Sequence, residues 1–242
     1  MSEPDGRCPT RRTTPGDGAL DPFPGTRAAR AGWQRNPCPA ADAIAAALDG
    51  FDADLAVLGQ GTASAGVPVP ALVAQLRAAC GEAGQALHWG ATSQDIMDTA
   101  LMLRLRQVLA IYADRMTRLI KALGSLAERH AGLPLAGRTY GQAATPTSFG
   151  AVVASWGTPL LRHLERLEEL KPRLLRTSLS GAAGTLSAMG DSGPEVREKF
   201  AQALGLEPSS ASWHSTRDTI AEFAGWMAIL SGILGKMGED LI

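Results

Sequence analysis

Three short polar clusters break the long apolar stretches of this chain, and each brings side chains suited to holding an anion. The first is His88-Trp89-Gly90-Ala91-Thr92-Ser93-Gln94-Asp95, which sets a histidine and two hydroxyls at the mouth of a helical pattern. The second is Gly137-Arg138-Thr139-Tyr140-Gly141-Gln142, and the third is Trp213-His214-Ser215-Thr216-Arg217-Asp218. Thr92-x-x-Asp95 and Ser215-x-x-Asp218 both read as capping boxes, in which hydroxyl and carboxylate take up backbone N–H groups that lack intrahelical partners. The same helix N-terminus, with its partial positive charge, is a natural seat for a carboxylate or phosphate. Arg217 falls in a first turn, where the dipole disfavours a cation, so its position favours anion binding over stabilisation.

Each cluster also has a plainer reading. Thr92 and Ser93 serve as caps in any helix, His88 beside Trp89 fits a half-buried structural histidine, and Tyr140 and Gln142 fit ordinary loop hydrogen bonding. His130 and His163 lie on helical faces without a partner cluster and read as structural, while Glu165, Glu168 and Glu169 read as a solvated face. No metal site is expected, because the histidines are isolated and neither H-x-x-x-H nor H-E-x-x-H occurs. The phosphate loop G-x-x-x-x-G-K-S/T and the serine elbow G-x-S-x-G are also missing. Gly181-Ala182-Ala183-Gly184-Thr185 follows a helix rather than a strand, which argues against a nucleotide fold.

Helices must position these clusters. Residues 40–49 and about 69–80 read as short helices, joined by a turn-rich connector holding Gly59, Gly61 and Gly66-Val67-Pro68. From Ser93, apolar residues recur every three or four positions: Leu101, Leu105, Val108, Tyr112, Met116, Leu119, Leu123 and Leu126. That predicts one helix to about His130, stopped by Gly132 and Pro134 and over 50 Å long at ~1.5 Å per residue. A helix of that length belongs in a long bundle. Leu135 to Ala144 reads as a polar loop, after which Thr145-Pro146 opens a helix as N-cap and first-turn proline. Its stripe runs from Phe149 to about Arg176, with a kink expected at Pro159. Thr177 to Asp191 is a second connector, and a short helix follows at about 194–204. Behind Ser215, the residues Ile220, Phe223, Met227, Leu230, Leu234, Met237 and Leu241 form a heptad stripe that reaches the chain end without a cap. Residues 1–39, rich in proline, glycine and arginine, read as irregular or disordered.

Bulk properties narrow the classes further. A net charge of −1 over 242 residues gives no electrostatic footprint for nucleic acid or an anionic membrane. Aromatic residues make up only 5 %, a balance that suits tightly packed helices. Cys8, Cys38 and Cys80 are widely spaced without a C-x-x-C pair, which points to a reducing compartment. The longest uncharged apolar run, Phe223 to Gly235, is shorter than the roughly 18 residues of a spanning helix. Arg11-Arg12 has no hydrophobic stretch behind it and does not read as an export signal. The expectation is a cytoplasmic protein.

Two of the clusters carry a specific likeness. His88-Trp89-Gly90-Ala91-Thr92-Ser93-Gln94-Asp95-Ile96-Met97-Asp98-Thr99 resembles the first conserved region of the fumarase/aspartase/adenylosuccinate lyase superfamily. The stretch Gly137 to Gly150 resembles the second, and the likeness extends over roughly residues 55–242, through Arg217-Asp218. It implies an all-α, elongated helical bundle; with the irregular segment that composition gives at 1–39, the chain divides further into a small helical N-terminal domain at 40–87 and a long-helix central bundle at 88–242. The superfamily's third region, a serine-bearing S-S-x-M-P-x-K-x-N-P loop, does not occur, which implies that a C-terminal portion is lacking. The likeness also implies no cofactor, a small polycarboxylate substrate, and a homotetramer with active sites shared between subunits.

Adenylosuccinate lyases carry histidine where this chain has Tyr140, and an aromatic residue there, with Trp89 and Trp213-His214, resembles the lactonising cycloisomerase branch. In that reading Tyr140 and His88 are catalytic, Tyr140 giving a hydrogen bond or proton and His88 orienting a carboxylate. Thr92, Ser93, Thr139, Gln142, His214 and Arg217 bind substrate. A phenol with an ordinary pKa near 10 is a reluctant acid at neutral pH. Two alternatives stand beside it: a fumarate-releasing lyase like adenylosuccinate lyase, and a catalytically silent helical scaffold.

Overall fold

The structure is a computed structural model and describes residues 39–242; the expectation for residues 1–38 lies outside the described residues. Helices dominate. In chain order they are α1 (Pro39–Ala47), α2 (Leu55–Ala65), α3 (Val69–Cys80), α4 (Ser93–Arg129), α5 (Phe149–Leu174), α6 (Gly193–Leu204) and α7 (Asp218–Leu241). Short 3-10 turns span Gly81–Ala86 and Ser187–Ser192. The chain divides into two compact units. The first runs up to Arg104 and resumes over Leu175–Thr216; the second comprises Leu105–Leu174 and Arg217–Ile242.

In the first unit, Ile44, Leu48, Leu76 and Leu87 form a buried cluster, with Phe51, Leu72 and Cys80 packed on it. The expected connector around Gly59 and Gly61 is instead helix α2. Asp54 caps it, its carboxylate accepting from the N–H groups of Ala56 (2.8 Å) and Val57 (3.1 Å). Gly66 ends it in the left-handed conformation at φ 76°. Gly61 is tolerated mid-helix because a Cβ there would stand 2.4 Å from that of Ala71, so its small size sets how closely α2 and α3 approach.

Helix α4 has 37 residues, as the apolar stripe predicts. Its buried face differs in detail: Met102, Leu103, Leu109, Met116 and Leu123 are buried, while Leu101, Val108 and Ile111 are exposed. In the second unit α5 buries Val153, Trp156, Leu160, His163, Leu167, Leu170 and Leu174, and the helix continues through both Pro159 and Pro172. Gly150 lets α5 start against the end of α4, since a Cβ there would meet the Ala127 carbonyl oxygen at 2.4 Å. Trp226 of α7 is the aromatic centre of this unit. It stacks on His163 (4.4 Å between ring centroids) and makes a T-shaped pair with Tyr112 (5.6 Å).

Two boundaries differ from the sequence reading. The stretch expected as a loop is a β-hairpin, β1 (Pro134–Thr139) paired antiparallel with β2 (Gln142–Ser148). Tyr140 and Gly141 both have positive φ, 48° and 73°, the geometry of a two-residue primed turn that matches strand twist. Thr145 and Pro146 therefore lie in β2, and the α5 start is served by Ser148, whose hydroxyl accepts from Ala151 N–H at 3.1 Å. Likewise α7 opens at Asp218 with Arg217 at the cap position and no side-chain cap bond, so Ser215 does not form a capping box. Helix α7 reaches 24 residues, long and apolar enough by length and composition to cross a bilayer. The uncharged run inside it falls short of that because the helix extends on both sides through charged residues.

Candidate active site

The first polar cluster is organised by a residue that the sequence offers only as half of a cap. Asp95, in the first turn of α4, is 1 % exposed and accepts hydrogen bonds on both carboxylate oxygens. Oδ2 takes the N–H groups of Thr92 (3.0 Å) and Gly181 (2.9 Å). Oδ1 takes the Ser180 N–H (2.9 Å) and the Ser178 hydroxyl (3.1 Å), and lies 2.7 Å from Nε2 of His214. The bond from Thr92 N–H is the carboxylate arm of the expected capping box. The remaining bonds tie two distant segments, the Ser178–Gly181 loop and the stretch carrying His214, to one side chain.

Thr99, one turn further along α4, is fully buried and locks the same loop. Its hydroxyl donates to the Ser178 carbonyl (3.0 Å) and accepts from Ser178 N–H (2.9 Å). Trp213 Nε1 donates to the Thr177 carbonyl at 3.1 Å, which seats the segment carrying His214. The loop is held from the other side by Thr177 N–H to the Glu207 carbonyl (2.9 Å) and Glu207 N–H to the Leu175 carbonyl (3.0 Å). Gly181 takes a positive φ of 72°, and a Cβ there would press on the Gly90 carbonyl at 3.0 Å. Glycine is thus required where the loop passes the first motif.

His88 sits beside this network with a positive φ of 61°. Burial lowers its pKa below the ordinary value, helped by the charge of Arg77 and opposed by Asp95. Its Nε2 is buried without a hydrogen-bond partner, as is the Ser180 hydroxyl. An unpaired polar group away from water is costly, so these two atoms are the uncompensated ones beside the Asp95 network. His214 is 18 % exposed at its side chain and so reaches the surface from a buried partner.

Of the residues singled out in sequence, His88, Thr92, Ser93 and His214 lie in the first unit, where Thr92 through its backbone N–H and His214 through its ring meet Asp95 and the Asp95 charge acts on His88. Thr139, Tyr140 and Gln142 share the tip of the hairpin in the second unit, with Thr139 paired to Gln142 across the turn. All three are exposed, Tyr140 fully at 103 %. Arg217 stands at the start of α7 in that unit. Sequence reasoning missed Ser178, Ser180 and Gly181, and gave Asp95 no role beyond capping. A signal was present: Asp95 and Thr99 lie four apart on one helical face, and a hydroxyl-rich run Thr177-Ser178-Leu179-Ser180 interrupts an otherwise apolar pattern. Among the described residues, no three His, Cys, Asp or Glu side chains come together as a metal set.

The chain is similar to known lyases over most of its length. The profile of the lyase family matches residues 35–242. A 3-carboxy-cis,cis-muconate cycloisomerase from Pseudomonas aeruginosa is 44% identical over 192 residues, which cover 78% of this chain and 42% of that protein. An N-acetyl-S-(2-succino)cysteine lyase from Dickeya dadantii is 41% identical over 170 residues, covering 70% of this chain and 37% of that one. The crystal structure of a fumarate lyase from Mesorhizobium superposes with a TM-score of 0.85 at 43% identity, covering 90% of this chain and 51% of the other. The chain thus spans about half, or less, of the length of these relatives. With the two motif regions and the helical architecture, these similarities show that the chain belongs to the lyase family of the fumarase/aspartase superfamily.

Proposed function

We propose that this chain supplies part of the active site of a cycloisomerase that converts 3-carboxy-cis,cis-muconate to its carboxymuconolactone. The observation that carries the reading is the cluster around Asp95, where two histidines and two hydroxyl residues stand at the N-terminus of a long helix. In this reaction a substrate carboxylate oxygen adds across a conjugated double bond and a proton is delivered alpha to a second carboxylate. Charge builds on that second carboxylate as an enolate-like species, so fixed donors aimed at it lower the barrier. Thr92, Ser93, Thr139, Gln142, His214 and Arg217 are the donors, His88 orients a carboxylate, and Tyr140 gives the hydrogen bond or proton. No cofactor takes part.

The chain works as a homotetramer in which the active sites are shared, and it works in the cytoplasm. What supports the tetramer is the exposed hairpin carrying Tyr140, together with the apolar residues Ile229, Leu234 and Leu241 exposed on α7. A groove of about 420 Å³ beside that helix, lined by Trp156, Pro159, Ile229, Ile233 and Met237, suits a neighbouring helix. A second reading, favoured by the similarity to the succinocysteine lyase, is a fumarate-releasing lyase. Incubation with 3-carboxy-cis,cis-muconate and, separately, with N-acetyl-S-(2-succino)cysteine separates the two. Loss of diene absorbance as lactone forms supports the cycloisomerase; fumarate release without lactone formation refutes it.

A further inference from the structure

We propose that Asp95 is a positioning residue, whose buried carboxylate fixes His214 with Nε2–H inward so that Nδ1 is the ring atom presented to a substrate carboxylate. The inference rests on the polycarboxylate reading above and names the group that makes His214 useful in it. The hydrogen bonds leave little freedom. A carboxylate only accepts, and Asp95 Oδ1 already accepts from Ser180 N–H and the Ser178 hydroxyl. A nitrogen 2.7 Å from that oxygen must therefore bring a hydrogen, which puts the proton of the neutral ring on Nε2.

Nδ1 is left as the only other polar atom of the ring. When a carboxylate approaches it, the ring draws a proton from solvent water at Nδ1 and becomes an imidazolium bridging two carboxylates, one buried and one arriving. The buried partner compensates the charge, and its position is itself fixed by three backbone N–H groups. This is the logic of a side chain oriented by a third group behind it. A surface histidine without such a partner rotates and exchanges tautomers, and it offers an incoming carboxylate no fixed donor.

The test uses nitrogen NMR of the histidine rings in the 242-residue chain, with trans-aconitate as a tricarboxylate probe. The wild-type ring of His214 is expected to carry its proton on Nε2 when free and on both nitrogens when the probe is bound. In Asp95→Asn the side-chain amide donates to Nε2, so the free ring switches to Nδ1–H and the probe binds at least tenfold more weakly. A free wild-type ring protonated on Nδ1, or an Asp95→Asn variant with unchanged tautomer and affinity, overturns the proposal. Should Asp95→Asn fail to fold, the wild-type ring decides alone: a free His214 ring protonated on Nε2, with Nδ1 the nitrogen that responds to the probe, supports positioning, and a ring protonated on Nδ1 overturns it. If trans-aconitate shifts no resonance while the tautomers behave as stated, the polycarboxylate reading fails and the positioning by Asp95 stands.

Discussion

Replacing Asp95 by asparagine changes one oxygen into an amide nitrogen without changing shape, and the structure dictates which one. Nitrogen at the Oδ2 position would face the N–H groups of Thr92 and Gly181, two donors that cannot turn away. At the Oδ1 position it faces only one fixed donor, the Ser180 N–H, because the Ser178 hydroxyl rotates and the His214 ring can shift its proton. The amide nitrogen therefore settles at Oδ1. The orphaned Ser180 N–H costs about 1–3 kcal/mol, being buried and unpaired. The two bonds kept by the other oxygen lose their charge assistance, about 0.5–1 kcal/mol each by the same scale. The expected loss is about 2–5 kcal/mol, a large share of the roughly 5–15 kcal/mol that holds a domain together. Urea denaturation followed by circular dichroism measures it, with Gln94→Ala as a neighbouring first-turn control. A loss below about 1 kcal/mol would refute the reasoning, because it would mean the buried carboxylate is not the acceptor for these groups.

Two further outcomes follow from the second unit. His163 is fully buried and stacked on Trp226, and burial together with Arg166 lowers its pKa below the ordinary 6.5, opposed by the Trp226 backbone. The unfolded chain then binds the proton first as pH falls, so stability is complete above 6.5 and declines below it, at most about 1.4 kcal/mol per pH unit. His163→Phe should keep the stacking and flatten that decline when urea midpoints at pH 7.5 and 5.5 are compared; an equally steep decline in the variant counts against it. Gly150→Ala should lower the melting temperature, with a cost of about 1–3 kcal/mol, although alanine normally favours a helix by roughly 1 kcal/mol. The new Cβ would stand 2.4 Å from the Ala127 carbonyl and 2.7 Å from the Ala131 Cα, both backbone atoms with nowhere to move. A stabilised variant would show that the two helices are not held so closely.

The long helices were legible because their apolar residues repeat every three or four positions for many turns, as in α4 and α5. The failures have local causes. Helix α2 was hidden by Gly59 and Gly61, which read as breakers, whereas Gly61 is there for the close approach of Ala71. The hairpin was hidden because its strands lack apolar alternation: nearly every residue in them is exposed, and its only local sign is the Tyr140-Gly141 turn. In α7 the heptad stripe pointed to Leu234 and Leu241, which are exposed, and passed over Trp226, whose burial depends on rings from α4 and α5. At the candidate site, the first motif was legible as a helix start with anion-binding character. Its dependence on the Ser178–Gly181 loop was not, since those residues lie more than eighty positions away along the chain and only the fold brings them to Asp95.

The central claim is that the Asp95-organised cluster at the start of α4 forms one wall of a polycarboxylate site. Titration of the isotope-labelled chain with 3-carboxy-cis,cis-muconate, followed by NMR, tests it most directly. Saturable shifts are expected, centred on His88, Thr92, Ser93 and His214, with the residues of α2 unmoved. Binding that leaves those four residues unshifted, or no binding at millimolar substrate, would contradict it.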